Sequence, residues 1–290
     1  MNLIGCIKPT AAVFAGFVTV IGCSAATQSV SHTKIVKGRD ADAKLYPVVS
    51  LNEGDSASDT SSFCTGVMIS PRHLLTAAHC SLGDDGKSTD PASVSVVANE
   101  SDPESENVEL HSVQSIAVHE DYSSENTADE GADDVKPGDA RDIAIWTLSE
   151  PVRDVHTARV LDPNDVLDAF VDGQSVVIMG YGKHSAREPA SAHHNLRMAE
   201  TKFSKRLGAE DDALSASEFF AGGKGLPDTC NGDSGGPAFV KSKDGTLLLV
   251  GLTSRGPDSC DRGGIYTLVP AYRDWIKGVL GVATYGSFLK

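Results

Sequence analysis

Beyond His194 the chain carries no histidine, its basic residues are few for its length, and no apolar run is long enough to cross a bilayer. Each shortage removes a class of protein. Twenty-five Lys and Arg face 40 Asp and Glu, a net charge of −15, which argues against nucleic acid or an anionic membrane surface as a partner. No internal repeat, glycine-rich phosphate loop or paired C-x-x-C metal spacing occurs. His184, His193 and His194 stand among Ser, Ala, Arg, Glu and Pro residues and read as a surface loop, so no metal is expected there.

What the chain does hold is 40% hydrophobic residues over 290 positions, enough for a substantial core in one large domain or two of ordinary size. A lone Lys8 followed by apolar Ala11 to Gly22 suits a signal peptide over residues 1–23, with Ser24-Ala25-Ala26 as a cleavage site. Val20-Ile21-Gly22-Cys23 also resembles the lipobox of bacterial lipoproteins, in which Cys23 would be acylated and the protein anchored to a membrane. Both readings stay open, and both put the mature chain outside the cytoplasm. Cys6 and Cys23 fall in this region, leaving Cys64, Cys80, Cys230 and Cys260 for the mature protein. In an oxidising compartment Cys64–Cys80 and Cys230–Cys260 are the expected bridges, each beside a candidate catalytic group, although four cysteines allow other pairings.

The stretch with the most chemistry is Asp228-Thr229-Cys230-Asn231-Gly232-Asp233-Ser234-Gly235-Gly236-Pro237. It sets the Ser234 hydroxyl between glycines that let a substrate approach the backbone closely. Locally it also fits the G-x-S-x-G elbow of α/β-hydrolases, which needs its acid and then its histidine downstream. All nine histidines precede Ser234, so that order fails.

Upstream, Gly66 to Pro71 and His73 to Ala78 read as two short apolar strands joined by a Ser-Pro turn, with His79 ending the second. A Cys80–Cys64 bridge would hold that imidazole on a rigid support. Near the start, a polar segment over residues 24–34 leads to Ile35-Val36-Lys37-Gly38, which looks like a processing site after Lys34.

Together, Ile35-Val36-Lys37-Gly38, Thr76-Ala77-Ala78-His79-Cys80 and Gly232-Asp233-Ser234-Gly235-Gly236-Pro237 resemble, in order, the three signatures of the trypsin-like, chymotrypsin-fold serine proteases. The resemblance runs from Ile35 to about Leu280. It implies an all-β fold of two six-stranded antiparallel barrels, over about residues 35–150 and 151–270, with the active site between them and a short C-terminal helix over 272–280. The peptidase domain would then occupy residues 35–290.

By the same resemblance Asp142, opening the apolar run to Leu148, completes a catalytic triad with His79 and Ser234. The Gly232 and Ser234 N–H groups would form an oxyanion hole. Asp233 would pair with the new Ile35 ammonium once the Lys34–Ile35 bond is cut. Asp228, six residues before Ser234, would floor a pocket for Lys or Arg walled by Ser254 to Gly256 and left open at Gly264, its two sides joined by Cys230–Cys260.

The implied function is a secreted serine endopeptidase, made as a zymogen, that cuts protein substrates after Lys or Arg. Protein inhibitors would be further partners of an expected monomer. The alternative is a catalytically weak, protease-like binding protein with altered subsites.

Arg255 stands where these proteases usually carry a tryptophan shelf, which points to a subsite preference for acidic residues. Two acidic loops remain. Residues 120–139 read as a solvated insertion on the cleft rim that could attract basic substrates, and Glu100 to Glu109 lies where some relatives bind calcium, the one cofactor left open.

Overall fold

The computed structural model describes residues 34–54, 61–83, 85–123, 140–162, 164, 171, 173–183, 195–207 and 217–281. The signal and propeptide segments, the side chain of Lys34, residues 124–139 of the acidic insertion, and His184, His193 and His194 lie outside them.

Fourteen strands are described. β1 (Arg39–Asp40) and β8 (Arg159–Val160) are two-residue edge pieces. β2 (Val48–Glu53), β3 (Ser61–Ser70), β4 (His73–Thr76), β5 (Val94–Val97), β6 (Leu110–Val118) and β7 (Ala144–Leu148) close a barrel in the order β2-β3-β4-β7-β6-β5. A second ring joins β9 (Ser175–Gly180), β10 (Arg197–Leu207), β11 (Glu218–Ala221), β14 (Gly264–Leu268), β13 (Leu247–Arg255) and β12 (Pro237–Lys241), which pairs back onto β9. Every pairing within the two rings is antiparallel.

Among the described residues, closure leaves none of the twelve ring strands as a sheet edge, and it explains why several strands are continuously apolar instead of alternating. In β2, Val49 and Leu51 fill the first barrel while Val48 faces a shared layer. In β9, Val176 and Ile178 fill the second barrel while Val177 and Met179 face that same layer. With both faces of a strand buried, the period-two signal disappears and only the run of β-branched residues remains.

The second barrel contains a stacked pair, Phe219 on Tyr266, with ring centroids 5.1 Å apart. Gly251 makes room for it, because a Cβ there would lie 2.5 Å from the Phe219 ring. After β14 a 3-10 turn, Val269–Tyr272, leads into the C-terminal helix Arg273–Leu280. Tyr272 therefore closes the turn and does not open the helix. Tyr272 and Ile276 pack into the shared layer, which anchors the helix by its one apolar side. No helix among the described residues is long and apolar enough to cross a membrane.

Candidate active site

β4 stops at Thr76, and His79 opens the 3-10 turn His79–Ser81 instead of ending the strand. That turn is fixed from two sides. Cys80 is bridged to Cys64 on β3, and Ser81 Oγ accepts the Trp146 indole N–H at 2.8 Å. Asp142, fully buried just before β7, accepts from His79 N–H through Oδ1 at 3.0 Å and from His79 Nδ1 through Oδ2 at 2.8 Å. Ser254 Oγ donates to the same Oδ2 at 2.6 Å, and Thr267 Oγ1 donates to the Asp142 carbonyl at 2.9 Å.

Burial alone would lower the His79 pKa, but the charge and hydrogen bonds of Asp142 outweigh it and raise the value. Burial correspondingly pushes Asp142 up, while His79 and Ser254 pull it below the usual carboxylate range. The imidazole is thus held in one orientation, with Nδ1–H committed to Asp142 and Nε2 left to act as a base.

The Ser234 loop belongs to the second barrel but is clasped by the first. Thr65 of β3 donates its N–H to Ser234 O at 2.8 Å and its hydroxyl to Gly232 O at 2.9 Å. Ser234 O also lies 3.7 Å from Cys80 Sγ, which brings the serine loop against the residue that follows His79. Gly235, at φ 76°, is required here, since a Cβ would sit 2.0 Å from Thr76 Oγ1. Among the described residues, the N–H groups of Gly232 and Ser234 have no acceptor within the protein, and no hydrogen bond joins His79 Nε2 to Ser234 Oγ. Catalytic contacts of this kind tighten when substrate arrives.

Beside Ser234 opens a cavity of about 220 Å³. Asp228 is at its base, 2% exposed, with Thr229 N–H donating to Oδ1 at 2.8 Å and Gly263 N–H to Oδ2 at 2.6 Å. Burial raises its pKa to about 6 despite these donors. Ser254, Gly256, Cys230 and Cys260 also line the cavity, and Cys230 is bridged to Cys260. Gly263 lines it as well, whereas the expected Gly264 is buried, is not among the lining residues and pairs with Ala221.

Asp233 is fully buried and accepts two backbone N–H groups, Gly182 at 2.8 Å and Cys230 at 2.9 Å. Burial still lifts its pKa to about 7. Ile35 is fully buried in the second barrel's core, and Val36 O accepts from Asp228 N–H at 3.2 Å. At φ 32° the β-branched Ile35 sits in the left-handed region, where such residues are strained.

Arg255, at the position of the tryptophan shelf, is paired within the protein. Its guanidinium turns inward and grips Glu218 with both nitrogens, at 2.8 and 2.9 Å, and Glu218 is 2% exposed. Glu218 and Thr65 escaped the sequence reading. The carboxylates of the Glu100 loop, for their part, accept backbone N–H groups of Ser101, Asp102, Glu104 and Ser62. Among the described residues, the one close group of metal-ligand type is Cys64, His79 and Cys80, two of which are bridged to each other.

Two closed antiparallel barrels, with a His–Asp pair and a glycine-flanked serine at their junction, define the chymotrypsin-type class. A family model described as Trypsin matches residues 35–276, and the chain belongs to the trypsin family of serine proteases. It is similar to phenoloxidase-activating factor 1 of Holotrichia diomphalia, at 28% identity over 86% of this chain and 70% of that protein. Transmembrane protease serine 11G of Mus musculus is also 28% identical, over 88% of this chain and 57% of its own length. Serine protease filzig of Drosophila melanogaster matches at 27% over 87% of this chain, which spans 15% of it.

Proposed function

We propose that the protein is a serine endopeptidase that cuts after Lys or Arg and is activated by cleavage of its own Lys34–Ile35 bond. The observation that carries this reading is the doubly held His79–Asp142 pair beside a serine loop whose two N–H groups await an acceptor.

In the reaction, Ser234 Oγ attacks the scissile carbonyl and its proton passes to His79 Nε2. The resulting oxyanion takes the Gly232 and Ser234 N–H groups, where one donor is worth about 3 to 4 kcal/mol. Breaking the C–N bond moves the proton from His79 to the leaving amine, and a water molecule then releases the acyl group by the same steps reversed. Asp142 steadies the imidazolium in each half.

The preference for a basic residue rests on Asp228, a buried carboxylate at the base of the cavity with only backbone donors to offset its charge. Activation is supported by Asp233 and Ile35. Holding Asp233 as an anion costs on the order of 4 kcal/mol when its pKa rises from 3.8 to about 7. A new ammonium at Ile35 would offset that cost and relieve the strained φ. An N-terminal signal segment, with or without a lipid on Cys23, would deliver the precursor to an extracytoplasmic site.

The test is to treat the chain with a fluorophosphonate probe before and after cleavage at Lys34. Labelling of Ser234 only after cleavage is expected. Failure to label in either state would leave the protease-like binding protein as the better reading, and equal labelling in both would remove the activation scheme.

A further inference from the structure

Arg255 touches the triad through one hydroxyl. Its Nη1 donates to Ser254 Oγ at 3.3 Å, and Ser254 Oγ donates at 2.6 Å to Asp142 Oδ2, the oxygen that also holds His79 Nδ1. A guanidinium has donors only, so the hydroxyl it feeds must turn its single proton toward Asp142. Behind Arg255, Glu218 accepts both Nη groups in a bidentate fork and fixes the plane of the guanidinium.

We propose that Glu218 and Arg255 form a positioning pair that orients the Ser254–Asp142–His79 chain and sets the net charge its imidazole faces. This rests on the peptidase reading above, since only a proton-accepting His79 gives the pair a catalytic consequence. Among the described residues, the charged groups that act on His79 are Asp142 and Arg255, the first raising and the second lowering its pKa. Glu218 neutralises Arg255 at contact distance, so each member of the pair masks the other.

Removing one member therefore moves His79 in a direction set by which one is left. Glu218→Gln removes the carboxylate charge in contact with Arg255, disfavours the imidazolium and lowers the His79 pKa. Arg255→Gln removes the cation and raises it. Charges at 4–6 Å move a pKa by roughly 1 to 3, and with one hydroxyl interposed about half a pH unit in each direction is expected. The double variant should return close to the native value. Arg255→Lys keeps the charge but loses the fork, so kcat should fall while the acid limb of kcat/KM stays within about 0.2 pH unit of native.

The experiment measures the acid limb of kcat/KM in the cleaved full-length variants, and titrates His79 by NMR in the same variants carrying Ser234→Ala. The titration needs no turnover and separates His79 from Asp228, whose pKa burial raises to about 6. Opposite displacements for Glu218→Gln and Arg255→Gln support the pair. Displacements of one sign, none at all, or an Arg255→Lys limb that moves as far as Arg255→Gln would overturn it. Opposite displacements in a protein without peptidase activity would uphold the pair and remove the function proposed above.

Discussion

Thr65 in the first barrel donates its hydroxyl to the carbonyl of Gly232 in the second, at 2.9 Å, and its Oγ1 accepts the Tyr181 N–H at 3.1 Å. One side chain thus spans the junction and pins the peptide that follows the proposed oxyanion donor. Thr65→Val keeps the shape and removes the hydroxyl, leaving two buried backbone groups unpaired at about 1 to 3 kcal/mol. The expected outcome is a kcat lowered about 10- to 100-fold with KM little changed, read by steady-state kinetics. An unchanged kcat would show that Thr65 N–H alone suffices to hold the loop.

Asp233 gives the precursor a distinctive pH dependence. Its folded pKa of about 7 lies above the unfolded 3.8, so its contribution to stability is fully present below 3.8 and is lost as pH rises through 7. Asp228, raised to about 6, acts in the same direction. In an uncut Ser234→Ala precursor, Tm should therefore fall between pH 4 and 7 more steeply than in the same protein with Asp233→Asn. Cleavage at Lys34 should flatten the difference, because the Ile35 ammonium then accompanies the anion. Parallel Tm curves for the two precursors would refute the role given to Asp233.

Asp142→Asn keeps the volume but replaces an acceptor with an amide. The amide oxygen can replace Oδ1 or Oδ2 but not both, so its NH2 faces a donor, either the His79 N–H or the His79 Nδ1–H and the Ser254 hydroxyl together. A kcat loss of about 10⁴ is expected, with substrate affinity retained.

Gly251→Ala tests the packing of the second barrel. The added methyl would enter the Phe219 ring, which is stacked against Tyr266 and fully buried. About 1 to 3 kcal/mol of destabilisation is expected, measured by urea unfolding.

How far the sequence was legible depends on sequence distance. His79, Ser234 and the strands could be read because each signal is local: a glycine-flanked serine, a histidine before a cysteine, runs of β-branched residues; the closure of those strands into two barrels is what the family resemblance implies. Asp142 needed the family resemblance, as a charge that opens an apolar strand has no signature of its own. Thr65 and Glu218 were invisible for a different reason. Thr65 acts 167 residues away and Glu218 acts 37 residues away, and nothing near either residue announces the partner. Arg255 is legible as a departure from the family pattern, but its partner Glu218 is not, because a buried acid opposite it can be seen only in the folded chain. Gly263 and Gly264 adjoin in sequence, and only the backbone fixes which of them faces the cavity.

The most direct measurement is hydrolysis by the cleaved protein of peptides that differ only at the residue before the cut. With the Asp228 carboxylate at the base of the cavity, kcat/KM after Arg or Lys should exceed that after Phe or Glu by at least about 100-fold, and Asp228→Ser should erase the difference. Cleavage after Phe or Glu as fast as after Arg would contradict it.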